Sequence, residues 1–391
     1  MANRPPTTWL VGPRTDVCWF ILPAIAGYLC LYVNVALGVS SFLIWWFWNL
    51  FLNGPHFWAT ISRTYLDRDE WRTRRPVLLR GLGWFLVGPA AIALTLATGS
   101  PGPFLAFWLF QVLWAYFHVS RQHWGFVALY RKLNAEPDGS EGQADYWIFH
   151  LLMFGPILAW FIRYPELREH LALAAAPSPA EQVVLNLTTA LVVGAVAFYL
   201  WKEIDAFARR GTINLPKTLV LLAYVPLHLL LLLHPTVAGR YDILLFNAVI
   251  TLPHNLQYLA IVWFHNRNRY GATAPAAPAL GWAAAANRSL GRFVALGAVF
   301  SLVVFYPRWY LEGLAVPLSL GSFHWAHAPL GGSSLRVADL VFAVWVGVVF
   351  NHQYLDQKIW KLSRDDRLNE DLRLATPSAA RELPTEGVAA A

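Results

Sequence analysis

Long apolar stretches recur along this chain and are separated by short polar connections. They run from Val17 to Gly38, Phe42 to Ile61, Gly81 to Thr98, Pro103 to Val127, Tyr146 to Tyr164, Gln182 to Trp201, Thr218 to His234, Tyr241 to Phe264, Arg292 to Tyr306 and Val337 to Leu355. Each is about 17 to 24 residues, the length that crosses hydrocarbon as a helix, so the pattern predicts an all-α, polytopic membrane bundle of about ten transmembrane helices. The connections after the even-numbered stretches are basic, with Arg63, Arg68, Arg72 and Arg80, then Arg131 and Lys132, Lys202 and Lys217, Arg267 and Arg269, and Lys358 and Lys361. The intervening connections carry few cations, which places both termini in the cytoplasm and the chain in the inner (cytoplasmic) membrane as a multi-pass protein. Residues 1–374 read as one transmembrane domain and 375–391 as a disordered cytoplasmic tail, with Ala272 to Ala286 as a linker and the Gly/Pro-rich Pro307 to Arg336 as a long outer loop. The first apolar stretch lacks a basic run before it and a small-residue cleavage site, so no cleavable signal peptide is expected.

Composition agrees with a membrane chain: 57% of residues are hydrophobic, 14% are charged, and 20 are Trp. Cys18 and Cys30 are the only cysteines, and on one helix they would stand about 18 Å apart, too far to bridge. A thiolate metal site and a disulfide framework are both excluded. The formal charge of +7 is distributed over the connections rather than one patch, so it reads as topology and not as a nucleic-acid surface.

Candidate chemistry lies in the histidines. Counted at 1.5 Å per residue, His56, His118, His254 and His352 fall roughly 19 to 23 Å into a core of about 30 Å. Four helices thus carry an imidazole at one level, and a polar group at that depth usually faces the bundle interior. His150 reaches a similar depth from the other side, while His123, His265 and Asp356 lie about one to three turns deeper. His352 and Asp356 are an i, i+4 pair on one helix face, a geometry that presents two ligands to one ion. His118 and Gln122 share a face from which His123 is turned by about 140°. His254 and His265 share a face but stand about 16 Å apart along it, so they need separate roles or a kink.

Pro55 and Pro253 each precede a histidine inside a span and free a backbone carbonyl one turn earlier, which favours a polar cavity beside His56 and His254. Asn53, Asn255, Gln257, Asn351 and Gln353 could fix imidazole tautomers. Other histidines have plainer readings: His228 and His234 as interhelical hydrogen-bonding groups, His324 and His327 as a surface HxxH, and His170 as solvated. Trp45, Trp46 and Trp48 read as interface anchors. The inner arginines read as topology and headgroup contacts, with Arg121 and Arg269 near enough to the histidines to bind an anionic group.

Three short motifs, Gly54-Pro55-His56, Ser120-Arg121-Gln122-His123-Trp124-Gly125 and Val262 to Arg269, resemble in type and order the histidine motifs of the bacterial β-carotene 15,15′-dioxygenase family of membrane non-haem iron enzymes. The resemblance implies an iron near His56, His123 and His265 and oxygen-dependent chemistry on an isoprenoid chain. Arg269 stands where that pattern has a further histidine, so His352 or His254 would substitute. Imidazoles with few carboxylates suit iron (Fe2+), zinc or copper better than magnesium or calcium. The leading expectation is a non-haem iron oxygenase or related oxidoreductase, with dioxygen and a lipid or carotenoid-like isoprenoid substrate. Its metal candidates are His56, His118, His123, His254, His265, His352 and Asp356. Haem b held non-covalently by paired histidines, and a transporter with a histidine relay, are the alternatives.

Overall fold

The computed structural model describes residues 7–170, 173–234, 237, 243–271, 280–305, 329–330, 335–361 and 365–372. The outer-loop pair His324 and His327, the cytoplasmic tail and most of the Ala/Pro linker lie outside them. Among the described residues the regular structure is helical, with one isolated β-bridge between Pro329 and Arg336. In chain order the main helices are α1 (Pro13–Val35), α2 (residues 41–64), α3 (Arg68–Thr98), α4 (Gly102–Leu133), α5 (Ser140–Arg163), α6 (Pro179–Arg210), α7 (Leu215–Leu233), α8 (Ile243–Tyr270), α9 (Leu290–Val304) and α10 (Val337–Ile359).

Eight of these are long and apolar enough to cross a membrane; α2 and α9 are not among them. The physical reasons differ. α9 is only 15 residues long. α2, which runs as Ser41–Trp48, a π-turn at Asn49–Asn53, and Gly54–Thr64, has its apolar run interrupted by Asn49, Asn53, Pro55 and His56. The π-turn is where Pro55 makes itself felt: a proline offers no N–H to the carbonyl four residues earlier and crowds it, and a widened turn relieves both. The Gly54 N–H bonds to Asn49 O across that turn, and Asn49 and Asn53 occupy its polar positions, Asn49 donating to Trp45 O (2.9 Å) and Asn53 to Asn49 Oδ1 (2.9 Å).

The helices turn apolar side chains outward. Leu86, Leu187, Val193, Trp201 and Ile204 are among many large hydrophobic residues that are exposed, a pattern that fits lipid and not water as the surrounding solvent.

The chain divides into two compact units, 1–56 with 108–260 and 301–305, and 57–107 with 261–300 and 306–391. In the first, α1, α4, α5, α6, α7 and most of α8 are tied together by buried polar groups. Asp16 accepts from Leu10 N (2.6 Å), Val11 N (3.0 Å) and Tyr130 Oη (2.9 Å), fastening the start of α1 to α4. Asn214 then donates to Tyr130 O (3.0 Å), joining α7 to the same place. Lys217 is fully buried, and its Nζ lies 3.0 Å from Glu136, 3.0 Å from Glu203 and 3.6 Å from Asp145. Arg131 and Lys202 also pair with Asp145. Three cations and three carboxylates from four helices and one loop therefore neutralise one another away from solvent, so Lys217, Arg131 and Lys202 do more than set topology: removing any one leaves a buried charge uncompensated.

Close helix crossings in this unit depend on two glycines. A Cβ on Gly54 would fall 1.7 Å from Ser301 Oγ and 2.9 Å from Ser301 Cα. A Cβ on Gly27 would fall 2.9 Å from Val249 O, the carbonyl that Pro253 leaves without its helical donor.

In the second unit, α3 and α10 approach so closely that a Cβ on Gly88 would overlap the Ala343 carbonyl at 2.0 Å. Asp67 caps α3 by accepting from Asp69 N (2.8 Å), and it also accepts from Tyr270 Oη (2.8 Å) and Arg269 Nη2 (2.9 Å) at the end of α8. α3 bends at Arg74, which lies outside the helical region two residues before Pro76.

Gly54→Ala should destabilise the protein by about 1 to 3 kcal/mol through overpacking against Ser301, whereas Gly194→Ala, on open space in α6, should change stability by less than about 0.5 kcal/mol. Thermal unfolding in detergent checks both; equal effects would remove the crossing argument.

Candidate metal centre

One nitrogen from each of His56, His118, His254 and His352 lies within 4.8 Å of the others, and all four residues are buried. They come from α2, α4, α8 and α10. This group could hold a metal ion.

Within the first unit the geometry is close. The His56 and His254 ring centroids are 4.8 Å apart at 63°, and those of His118 and His254 are 4.9 Å apart at 81°. His254 therefore sits between the other two. Tyr258, one turn further along α8, places its ring 4.5 Å from His56. The His254 carbonyl accepts from Gln122 Nε2 (3.0 Å), so α4 and α8 are fastened at the level where each presents its imidazole. Asn255, in the amide orientation that satisfies both ends, donates to Thr251 O (2.9 Å) and accepts from Trp48 Nε1 (3.2 Å).

In the second unit His352 belongs to a relay. Thr60 Oγ1 donates to Asp356 Oδ1 (3.1 Å) and is 2.7 Å from His352 Nδ1. The carboxylate can only accept, so the hydroxyl proton goes to Asp356 and His352 Nδ1–H donates to Thr60. That leaves Nε2 with its lone pair. Asp356 acts on the imidazole through Thr60 at Nδ1; its Oδ2 is 3.5 Å from Nε2, and it stands outside the four-histidine group itself.

The remaining candidates go elsewhere. His123 follows His118 by five residues, and the expected rotation of about 140° takes it to another face of α4, against Tyr224 (centroids 4.1 Å) and His228 (5.7 Å). His265, about three turns beyond His254 on α8, has Nδ1 3.0 Å from Asn266 Oδ1 and Nε2 3.4 Å from Asp371 Oδ2. Burial raises the Asp371 pKa, but the hydrogen bond with His265 and the charges of His265, Arg269 and Arg367 outweigh it and hold the carboxyl below its ordinary value. His265 is not one of the four histidines whose nitrogens converge. His150 has Nδ1 2.6 Å from Tyr146 O and Nε2 3.2 Å from Arg121. Arg269, expected to be available to an anion, is engaged by Asp67 (2.9 Å), Asp371 (3.3 Å) and Asp69 (3.4 Å).

Thr60, Tyr258 and Gln122 contribute to the positioning of the four imidazoles. Thr60 and Tyr258 each stand four residues after one of these histidines, and Gln122 stands four after His118, so the i, i+4 rule that pairs His352 with Asp356 also finds them.

No protein-family model matches the chain, and comparisons with curated proteins and with solved structures likewise found no match.

Thr60→Val and Asp356→Asn should each weaken metal binding by about 10- to 100-fold, the usual cost of losing a partner that orients a ligating histidine. The double variant should be little worse than either single one, because both break the same relay. Competition with a chromophoric chelator measures this; full affinity in both singles would make Thr60 and Asp356 packing residues only.

Proposed function

We propose that this chain is a multi-pass protein of the inner membrane in which His56, His118, His254 and His352 bind a transition-metal ion, and that it is an oxidoreductase acting on a lipid or isoprenoid substrate. The observation that carries this reading is four buried imidazoles, supplied by four helices, with one nitrogen each inside 4.8 Å. Independent packing histidines have no reason to converge in this way.

The donor set suits the ion. Neutral imidazoles without thiolates favour iron, copper or zinc, and metal–nitrogen bonds of about 2.0 to 2.1 Å can be reached from this spacing by small side-chain movements. Ring centroids 4.8 and 4.9 Å apart favour a bare ion over a haem, whose macrocycle would have to lie between facing imidazoles. Ferrous iron is the first choice, and the chemistry it supplies when bound is reaction with dioxygen. His352, oriented by Thr60 and Asp356, His254, anchored beside Gln122, His56, against Tyr258, and His118, against His254, would hold the ion; the apolar exterior of the helices would admit a hydrophobic substrate from the bilayer.

Protein purified in detergent should contain close to one equivalent of iron per chain with no Soret band, and His254→Ala should lose it. A Soret band would replace this reading with haem, while stoichiometric zinc would remove the redox assignment. Absence of any tightly bound metal would remove the metal centre and favour transport by a histidine relay.

We also propose that α2 and α9 cross the bilayer with the other eight helices, leaving both termini in the cytoplasm. The basic residues after each even-numbered helix support this. Reporters fused after Gly38 and after Leu66 flank α2 and should report opposite sides of the membrane. The same side for both would exclude α2 as a span.

A further inference from the structure

His123 and His228 form a second pair of buried imidazoles, on α4 and α7. Both are fully buried, with ring centroids 5.7 Å apart at 85°. Their surroundings fix which nitrogen carries the proton. Gln257 donates through Nε2 to Phe20 O (2.5 Å), so its Oε1 is the end that faces His123 Nδ1 at 3.0 Å. An amide oxygen only accepts, hence His123 Nδ1 carries hydrogen. Tyr116 Oη donates to Met153 O (2.7 Å) and lies 3.0 Å from His228 Nδ1. With the hydroxyl proton committed to the carbonyl, His228 Nδ1 also carries hydrogen.

Both rings are thus held in the same tautomer, and each is left with its lone pair on Nε2. Neither Nε2 has a hydrogen-bond partner among the described residues, and both are buried. Two structural histidines would gain by placing at least one of these acceptors on a donor. Holding both in the acceptor state, by separate partners on opposite sides, is the arrangement by which proteins prepare metal ligands.

We propose that His123 and His228 are a second metal site, distinct from the four-histidine group, that binds Cu(I) through the two Nε2 atoms. The spacing fits: an ion about 2 Å from each nitrogen lies roughly 3 Å from each ring centroid, so two imidazoles sharing it have centroids up to roughly 6 Å apart. The charge fits as well. No ion pair joins either imidazole to a carboxylate among the described residues, and Tyr116, Tyr224 and Gln257, which contact them, are uncharged groups. A divalent ion would bring two uncompensated charges into this apolar setting; a monovalent one brings half as much and, as a d10 ion, accepts two nitrogens without further ligands.

The test uses the full chain in detergent, stripped of metal by chelator and titrated anaerobically with Cu(I) against a chromophoric Cu(I) chelator. The fourfold variant His56→Ala/His118→Ala/His254→Ala/His352→Ala, which lacks the other four imidazoles, should retain a copper whose X-ray absorption shows two nitrogen ligands, and wild type should bind one Cu(I) more than His123→Ala. His123→Ala and His228→Ala should each lose that copper while eluting as monodisperse protein. Where the fourfold variant fails to fold, the copper stoichiometry of wild type against His123→Ala decides the matter; where it folds, its X-ray absorption reports this site alone. Copper with three or four ligands there, no copper there, or retention of the two-coordinate copper in either His123→Ala or His228→Ala would overturn the assignment. Because all four histidines of the other group are absent from the fourfold variant, failure of the four-histidine centre leaves this outcome unaffected.

Discussion

A polar atom buried in a bundle whose outside is apolar has to find its partner inside the protein, since neither lipid nor core can supply one. The described structure follows from meeting that demand at each helix. Pro55 removes a donor inside α2, and the chain responds with a π-turn carrying Asn49 and Asn53. Pro253 removes a donor inside α8, and the carbonyl it releases, that of Val249, faces the backbone of Gly27 at a distance only glycine permits. These two prolines immediately precede His56 and His254. Helical hydrogen bonding is therefore interrupted one turn before His56 and before His254, and the interruption brings polar groups to that level.

Charge obeys the same demand at the helix ends. Lys217, Lys202 and Arg131 are drawn inward to Asp145, Glu136 and Glu203, and Arg269 is drawn to Asp67, Asp69 and Asp371. Such buried networks contribute little net stability compared with apolar packing, but they penalise misregistration, because sliding one helix by a turn would strand a charge. They fix the heights of α4, α5, α6 and α7, and so fix the depth at which α4 presents His118.

This explains why part of the site was legible in the sequence. Counting residues from helix ends places His56, His118, His254 and His352 at one depth, and the depth survives because helical rise is constant. The rotation of His123 away from His118 was legible for the same reason, and so was the axial separation of His265 from His254. Resemblance of short motifs pointed to His56, which belongs to the four-histidine group, and to His123 and His265, which lie against Tyr224 and Asp371 instead. Side-chain partners such as Thr60 were not read, although they occupy i+4 positions, because a hydroxyl gives no compositional signal among apolar neighbours. Burial of Lys217 was equally hidden. A basic residue between spans reads as topology, and only the convergence of Glu136, Asp145 and Glu203 from three separate segments turns it into an internal ion pair.

The two sets of histidines differ in the one property that decides which cation each can hold. His352 stands beside a carboxylate, Asp356, linked to it through Thr60, so the four-histidine group has a negative charge within reach of its ligands. His123 and His228 have amide and phenol partners instead, which orient the rings without adding charge. In a medium of low dielectric the cost of an unbalanced ion rises steeply with its charge. A divalent ion is therefore matched to the group with the carboxylate and a monovalent one to the pair without it. α4 supplies an imidazole to each set because five residues turn a helix by about 140°, the step that separates His118 from His123.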